Sequence, residues 1–385
     1  MIESLLLTAD QKMFRQVIRD WCQKEWLPRR EEYLRAGPKE WPWEDVILRQ
    51  MGNLGVLGLR IPEEYGGTGG GTVDQVILFE EGGRYQVPFP LTSISATCKN
   101  LAEFGSEDLK REWLPRLARG EMLGAYAQSE PDAGSDAPAM TTTAVLDGDE
   151  WVINGTKRWI TNAEYAGVFF VVAKTDPSKR GDGIGAFWVE RDRPGLTVGK
   201  LEELIGWRLA PSNTLYFENC RVPRDHLVFK EGGAFRRLMH EFNGERCGNS
   251  AFCLGYAEAA FEMALQYSQE REAFGQPIGN FQGIQWMLAD MSVQIEAARH
   301  LIYHAAYNMD QGKNVAREAA TAKLYTNEMV RRVCDDAIQI HGANGVSCEY
   351  RVESLWRDGR VLNFGGGTPQ ILRSRIANEL MKRKD

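Results

Sequence analysis

The sequence predicts an α+β fold in which a small β domain is inserted between two helical regions, and three observations predict it. Apolar residues recur at three-and-four spacing before residue 121 and again after residue 228. Between them lie short β-branched and aromatic runs separated by Gly, Asp, Asn and Pro. No internal repeat or low-complexity tract interrupts this order. The expected domains are 1–121 (helical), 122–228 (a small sheet or barrel) and 229–385 (helical again).

Residues 8–60 read as helix. Thr8 and Gln11 form a capping-box pair, and Phe14, Val17, Ile18 and Trp21 fall on one face. Helix also fits "GTVDQVILFEEGGRY" and "EDLKREWLPRLARGE". The tract "YGGTGGGT" lies between helices and lacks the G-K-[ST] ending, so it reads as a loop rather than a phosphate-gripping turn. Strands are expected at "EWVINGTKRWITNA", "VFFVVAKT", "GIGAFWVER" and "NTLYFENCRV". After Pro223 and a turn at "KEGGAF", helices are expected at 235–271, 281–311, 315–341 and 369–383.

At 385 residues the chain can bury sizeable cores without cross-links. Its seven cysteines form no C-x-x-C pair, which argues against a disulfide framework or a zinc site and for a reducing compartment. The amino terminus has no basic region followed by a long apolar run, and no apolar stretch approaches the ~20 residues of a membrane span. The expectation is a soluble, cytoplasmic protein. A net charge of −7 argues against broad binding to nucleic acid or anionic membranes, and the locally basic end "RSRIANELMKRKD" reads as a solvated helix face.

The dinucleotide fingerprint G-x-G-x-x-G is absent as a strand-to-helix turn, and "GDGIGAF" only echoes it inside a strand region. His300 and His304 share a helix face without an HExxH motif, so packing or a surface role outweighs a metal role, and no metal is expected. His341 reads as structural. No Ser/His/Asp or Cys/His set is recognisable from spacing, which by itself leaves a triad open. Pattern reading ends at a soluble, enzyme-sized α/β/α protein.

Four segments carry a sharper signal. "AYAQSEPDAGSD" (125–136) resembles the T-E-P-x-A-G-S-D signature of the acyl-CoA dehydrogenase family, and "INGTKRWITNA" (153–163) resembles its N-G-x-K-x-W-I-T-N strand. "SQEREAFGQPIGNFQGIQ" (268–285) is similar to its E-R-x-x-F-G helix pair, and "QIHGANGVSCEYRVESLWRDGRV" (339–361) to its Q-x-x-G-G-x-G run ending in R-D. The resemblance implies an amino-terminal helical domain, a β-barrel-like middle domain and a carboxyl-terminal four-helix bundle. It also implies FAD held without a Rossmann unit, an acyl-CoA substrate and an electron-transfer flavoprotein as acceptor. The assembly implied is a homotetramer, a dimer of dimers, or a heteromer with a related subunit. In the family a proton leaves the α-carbon of the thioester while hydride passes from the β-carbon to the flavin, giving the 2,3-enoyl-CoA.

Carried over by motif, Gln128 and Ser129 fall against the flavin ring, Trp159 packs beside it, and Thr161 supplies a hydroxyl. Ser135 falls near the flavin pyrophosphate and the substrate's pantetheine arm. Arg271, Phe274, Gln282, Gln339 and Gly342 match positions holding the FAD of a neighbouring subunit, and Thr368 and Gln370 reach its adenosine side. An anionic pyrophosphate needs an arginine and backbone donors in place of water, which this set supplies. Without the motif context Trp159 and Phe274 would read as core packing. Ala343 replaces the usual second glycine of the Q-x-x-G-G run, and Asp132 replaces a frequent glycine of the first signature.

In many members the loop at 363–372 reads Y-E-G-T and its glutamate is the base; here Gly366 stands in that place. A smaller branch carries the carboxylate beside an arginine on the first helix of the carboxyl-terminal domain, and "EFNGERCGNSAF" supplies Glu245 and Arg246. Deprotonating a weakly acidic α-carbon needs a desolvated carboxylate aimed at one face of the substrate. Glu245 shares a helix face with Gly248, Asn249 and Phe252. The competing reading is an exposed glutamate paired with Arg246 or Arg271. Gly366 keeps a main-chain N–H, which the resemblance assigns to the thioester carbonyl. The missing side chain suggests room for a branched, cyclic or functionalised acyl group. Phe242, Asn243 and Arg246 match positions along the CoA arm, and Arg84 is a substrate-contact candidate against a structural alternative.

The leading reading is an FAD-dependent acyl-CoA dehydrogenase. The alternative is a non-oxidising enzyme of the same fold, such as a sulfinyl-acyl-CoA desulfinase, because those carry a G-G-T loop; a glutamate at 245 favours proton abstraction. A non-catalytic role like that of the family's DNA-associated members is opposed by the acidic balance.

Overall fold

Prolines and a glycine decide where the amino-terminal helices break in the computed structural model, which describes residues 7–229 and 234–382. Residues 230–233 of the turn expected at "KEGGAF", and 383–385 of the basic carboxyl end, lie outside the described residues. Helix α1 (Ala9–Trp21) is capped by Thr8, whose Oγ1 accepts from Gln11 N at 3.2 Å while Gln11 Oε1 accepts from Thr8 N at 3.1 Å. It runs on as a π-helical turn to Trp26 and stops before Pro28. Helix α2 (Arg30–Ala36) ends at Gly37 with φ 79°, followed by Pro38. The single helical stretch expected over 8–60 is thus several short pieces.

Helix α3 (Thr72–Tyr85) is buried on nearly every side. A helix buried all round belongs at the centre of its domain, so its two buried carboxylates need partners. Glu80 receives Arg15 at 2.9 Å, and Glu81 receives Arg19 at 2.9 Å. Helices α4 (Lys99–Phe104) and α5 (Glu107–Ala118) then lead into the sheet.

The eight strands are β1 (Leu123–Ala127), β2 (Thr143–Asp147), β3 (Glu150–Thr161), β4 (Ala166–Lys174), β5 (Ile184–Glu190), β6 (Leu196–Leu201), β7 (Ser212–Pro223) and β8 (Leu227–Phe229). Their order is β6-β7-β3-β2-β4-β5-β8, with β1 added parallel to β4. Alternate side chains of β4 enter two different cores. Val168, Phe170 and Val172 pack with Trp113 and Leu114 of α5, while Phe169, Val171 and Ala173 pack with Ile153, Leu215 and Phe217 of the sheet. This explains why "VFFVV" is continuously apolar rather than alternating.

The carboxyl-terminal helices are α6 (Ala234–Glu270), α7 (Gln282–Asp310), α8 (Ala316–His341), α9 (Val352–Val361) and α10 (Pro369–Met381). Helix α9 was not expected, although Val352, Leu355 and Trp356 fall at helical spacing and Val352, Leu355 and Gly359 form its buried face. Helix α6 has 37 residues, a length of roughly 55 Å. It crosses α3 closely at Gly83 and Gly255, where a Cβ would lie 2.2 Å from Phe252 O and 2.1 Å from Glu80 O respectively. No described helix is long and apolar enough to cross a membrane.

Candidate active site

The site forms where the amino-terminal part of α6 meets the glycine loop that joins α9 to α10. Four side chains hold that loop through its carbonyls. Asn249 of α6 and Asn327 of α8 donate to Leu362 O at 3.2 and 2.9 Å. Arg246 Nε donates to Gly366 O, and Lys323 Nζ of α8 donates to Gly367 O, both at 3.0 Å. So fixed, the loop takes φ values of 67° at Gly366 and 117° at Gly367, which side chains rarely adopt.

Glu245 fills the space that Gly366 leaves. A Cβ built on Gly366 would lie 2.1 Å from Glu245 Oε2 and 3.0 Å from its Cδ. The expected vacancy beside the α-carbon is therefore occupied by the carboxylate itself, and the room inferred there for a branched acyl group is absent. Glu245 is 4% exposed, so the competing picture of an exposed glutamate does not hold. Its Oε2 is buried without a hydrogen-bond partner. Burial raises the carboxyl pKa, opposed by the nearby charges of Lys323 and Arg246 and by the amide of Asn249. A desolvated carboxyl with one unmatched oxygen is a candidate for a general base.

Three further expected residues join this pocket. Asn243 accepts from Arg246 Nη1 at 2.8 Å, and Phe242 meets Tyr126 of β1 edge-on with ring centroids 5.4 Å apart. Tyr126 Oη donates to Gln128 Oε1 at 2.7 Å, which links the pocket to the 128–129 segment. Burial and the field of Glu245 both push the Tyr126 phenol pKa up.

Residues 128–130 are tied to β3. Arg158 N donates to Ser129 O at 2.9 Å, and the fully buried Lys157 ammonium reaches Gln128 O at 3.0 Å and Glu130 Oε1 at 2.8 Å. The pairing of β3 with β7 shifts register between Lys157 and Ile160, and within that bulge Trp159 has φ 62°. The bulge turns the indole outward to 48% exposure, beside the half-buried Thr161. Ser135 is exposed on the loop after Gly134.

The remaining candidates stand apart. Thr368 caps α10, accepting from Ile371 N at 3.4 Å, and Gln370 is exposed in the first turn. Arg271, Phe274 and Gln282 lie at the far end of α6, roughly 39 Å along the helix from Glu245. All three are exposed, Phe274 to 96% with φ 54°. Tyr267 stacks on His341 at 4.4 Å and accepts from Asn344 Nδ2 at 3.0 Å, which brings the exposed Gln339 and Gly342 to the same end. Arg84 is not at the pocket: its Nη2 pairs with Glu262 Oε1 at 2.5 Å, more than four turns beyond Glu245, so geometry assigns it to helix packing. Lys157, Lys323, Asn249 and Asn327 were not among the expected site residues. For Lys323 a signal existed, a lysine on the small and apolar face Ala319, Ala322, Thr326 and Val330.

The chain matches three family models: the acyl-CoA dehydrogenase N-terminal domain over residues 8–121, the middle domain over 125–220 and the C-terminal domain over 232–381. It belongs to the acyl-CoA dehydrogenase family. A probable acyl-CoA dehydrogenase of Bacillus subtilis is 40% identical over 98% of this chain and 99% of its own length. The butyryl-CoA dehydrogenase structure from Megasphaera elsdenii is 34% identical, with a TM-score of 0.92 over 98% of this chain and 99% of that one. A glutaryl-CoA dehydrogenase from Mycobacterium smegmatis, solved in complex with FADH2, is 28% identical with a TM-score of 0.90 over 99% and 96%. Acyl-CoA dehydrogenases are FAD-dependent enzymes, and the residues of this chain fit the group. A half-exposed indole held out by a strained bulge, next to Ser129 and Thr161, offers a flat apolar face with hydroxyls at its edge.

Proposed function

We propose that this protein is an acyl-CoA dehydrogenase whose proton-abstracting base is Glu245. The observation that carries this reading is the Glu245 carboxylate lying in the empty side-chain position of Gly366. The glycine loop offers no other acid or base. Burial supplies the basicity and the pocket excludes competing water.

Gln128, Ser129, Trp159 and Thr161 would hold the flavin ring, Ser135 would serve its pyrophosphate, and Thr368 and Gln370 its adenosine side. A flavin held there would supply the acceptor for the hydride that leaves the substrate's β-carbon. Glu245 takes the proton from the α-carbon. The Gly366 N–H donates to the thioester carbonyl, where negative charge develops as the proton leaves. Phe242, Asn243 and Arg246 line the CoA arm. Arg246 also fixes the loop through Gly366 O, so the base and the carbonyl donor share one frame.

For the acyl group, likeness to butyryl-CoA dehydrogenase supports a short straight chain over the branched or cyclic class. An electron-transfer flavoprotein as acceptor is supported by membership of the family. Arg271, Phe274, Gln282, Gln339 and Gly342 act on the FAD of a second copy, which assembly as a dimer of dimers supplies.

The test is anaerobic mixing of the FAD-loaded protein with butyryl-, isovaleryl- and palmitoyl-CoA while following the flavin absorbance band. Rapid bleaching by butyryl-CoA supports the reading. No bleaching by any thioester would overturn it, and loss of a substituent from a sulfinyl acyl-CoA without bleaching would favour the desulfinase.

A further inference from the structure

A lysine is packed behind the candidate base. Lys323, on α8, has 0% of its surface exposed, and its ammonium donates to Gly367 O at 3.0 Å. Gly367 adjoins Gly366, whose absent side chain Glu245 replaces, so one two-residue segment touches both charged groups. A buried ammonium is costly unless an opposite charge compensates it, and a single neutral carbonyl does not.

The other charged or titratable groups around Glu245 are committed elsewhere or neutral. Arg246, on the same helix, points its guanidinium at Gly366 O and Asn243 Oδ1. Tyr126 of β1 is a phenol whose pKa burial raises further. Cys247 and Cys253 of α6 are thiols pushed up to about 12 by burial. Arg375 of α10 acts on Arg246.

We propose that Lys323 is a positioning residue for proton abstraction: its ammonium keeps Glu245 ionised, and its hydrogen bond to Gly367 O holds the glycine loop beside the carboxylate. The proposal rests on the reading of Glu245 as the base. Without a cation, a carboxyl this buried would carry its proton at neutral pH and could not accept another. With a cation in direct contact, its basicity would fall too far. Tethering to Gly367 O fixes the ammonium between these extremes. Consistent with this, Lys323 is the strongest of the charges favouring the ionised form of Glu245, ahead of Arg246. Burial in turn lowers the Lys323 ammonium to about 8, with Glu245 the main influence opposing that fall.

The experiment is the pH dependence of kcat and kcat/KM for the FAD-loaded wild type, Lys323→Met, Lys323→Gln and Lys323→Arg. The substrate is the acyl-CoA that bleaches the flavin fastest, with a dye as electron acceptor. Glu245 must be ionised to act, so turnover rises with pH through its pKa. Removing the ammonium therefore moves the acid limb to higher pH. We expect Lys323→Met and Lys323→Gln to shift that limb by at least about one unit, a roughly fivefold loss at the wild-type midpoint that approaches tenfold at lower pH. Activity should return to within roughly threefold at high pH, and Lys323→Arg should restore the limb towards wild type. The glutamine variant keeps a donor for Gly367 O, so a shift shared by both neutral variants isolates charge from loop anchoring. It also stands in should the methionine variant fail to fold.

A pH-independent loss with the limb unmoved would mean a purely structural role and overturn the proposal, as would no change at all. Glu245→Gln assayed alongside separates the two readings. If it is inactive while the Lys323 limb does not move, the lysine proposal alone fails. If it turns over normally, both fail.

Discussion

The two ends of helix α6 present opposite chemical situations. Around Glu245 the helix is enclosed, with a carbonyl-rich loop pinned by Arg246, Asn249, Asn327 and Lys323 and a carboxylate 4% exposed. Beyond Glu270 the chain bares Arg271, Phe274 and Gln282 to solvent, with Phe274 held at φ 54° and 96% exposed. This large apolar ring, held in a strained outward conformation, meets Phe281 edge-on with centroids 6.0 Å apart and leaves almost all of its surface bare. Under the function proposed above, this contrast separates the proposed base from the residues proposed to serve a second copy's cofactor.

The largest effect should come from the enclosed end. Glu245→Gln should retain FAD yet lose at least roughly a hundredfold in turnover, measured by steady-state kinetics with a dye acceptor. Next is Gly366→Ala, in which a methyl group would lie 2.1 Å from Glu245 Oε2 on a backbone with φ 67°. We expect a roughly ten- to hundredfold loss of turnover. The left-handed conformation should add about 1–2 kcal/mol of destabilisation, read from denaturant unfolding. Equal activity of this variant and the wild type would mean the carboxylate works from another position.

At the bare end, Arg271→Ala and Phe274→Ala should release FAD on dilution and gel filtration. Stability should change little, within about 0.5 kcal/mol, because both side chains are exposed and Phe274 meets Phe281 only edge-on. Full flavin retention in both variants would erase the contrast between the two ends. Smallest of all, Arg84→Ala should leave KM unchanged and cost about 0–1 kcal/mol, since it breaks one partly exposed ion pair with Glu262. A raised KM there would return Arg84 to the substrate.

Much of this was legible in the sequence. The α-β-α order followed from hydrophobic period, and Glu245 was singled out as a candidate by the resemblance, through the E-R pair of "EFNGERCGNSAF" and the missing glutamate at 366. The breaks at Pro28, Pro38 and Pro42 were visible as residues but were read through, since periodicity alone continued across them. Lys323, Asn249 and Asn327 escaped because their partners are main-chain carbonyls far along the chain. No side-chain pattern encodes a carbonyl acceptor, so only the folded loop reveals the two asparagines, and the apolar face around Lys323 marks a buried lysine without naming its acceptor. Arg84, carried as a substrate candidate against a structural role, was left open for a related reason: Glu262, its partner, is remote in sequence and close in space. The space beside Gly366 was correctly read as missing a side chain and wrongly read as empty, because helix α6 delivers a carboxylate into it.

The most direct measurement is exchange of the α-hydrogen of a bound acyl-CoA with deuterated water, followed by mass spectrometry, since it reports proton abstraction without requiring electron transfer. The wild type should incorporate deuterium, and Glu245→Gln should do so at least roughly a hundredfold more slowly while binding the thioester as tightly. Deuterium uptake at the wild-type rate in Glu245→Gln would contradict the assignment of the base.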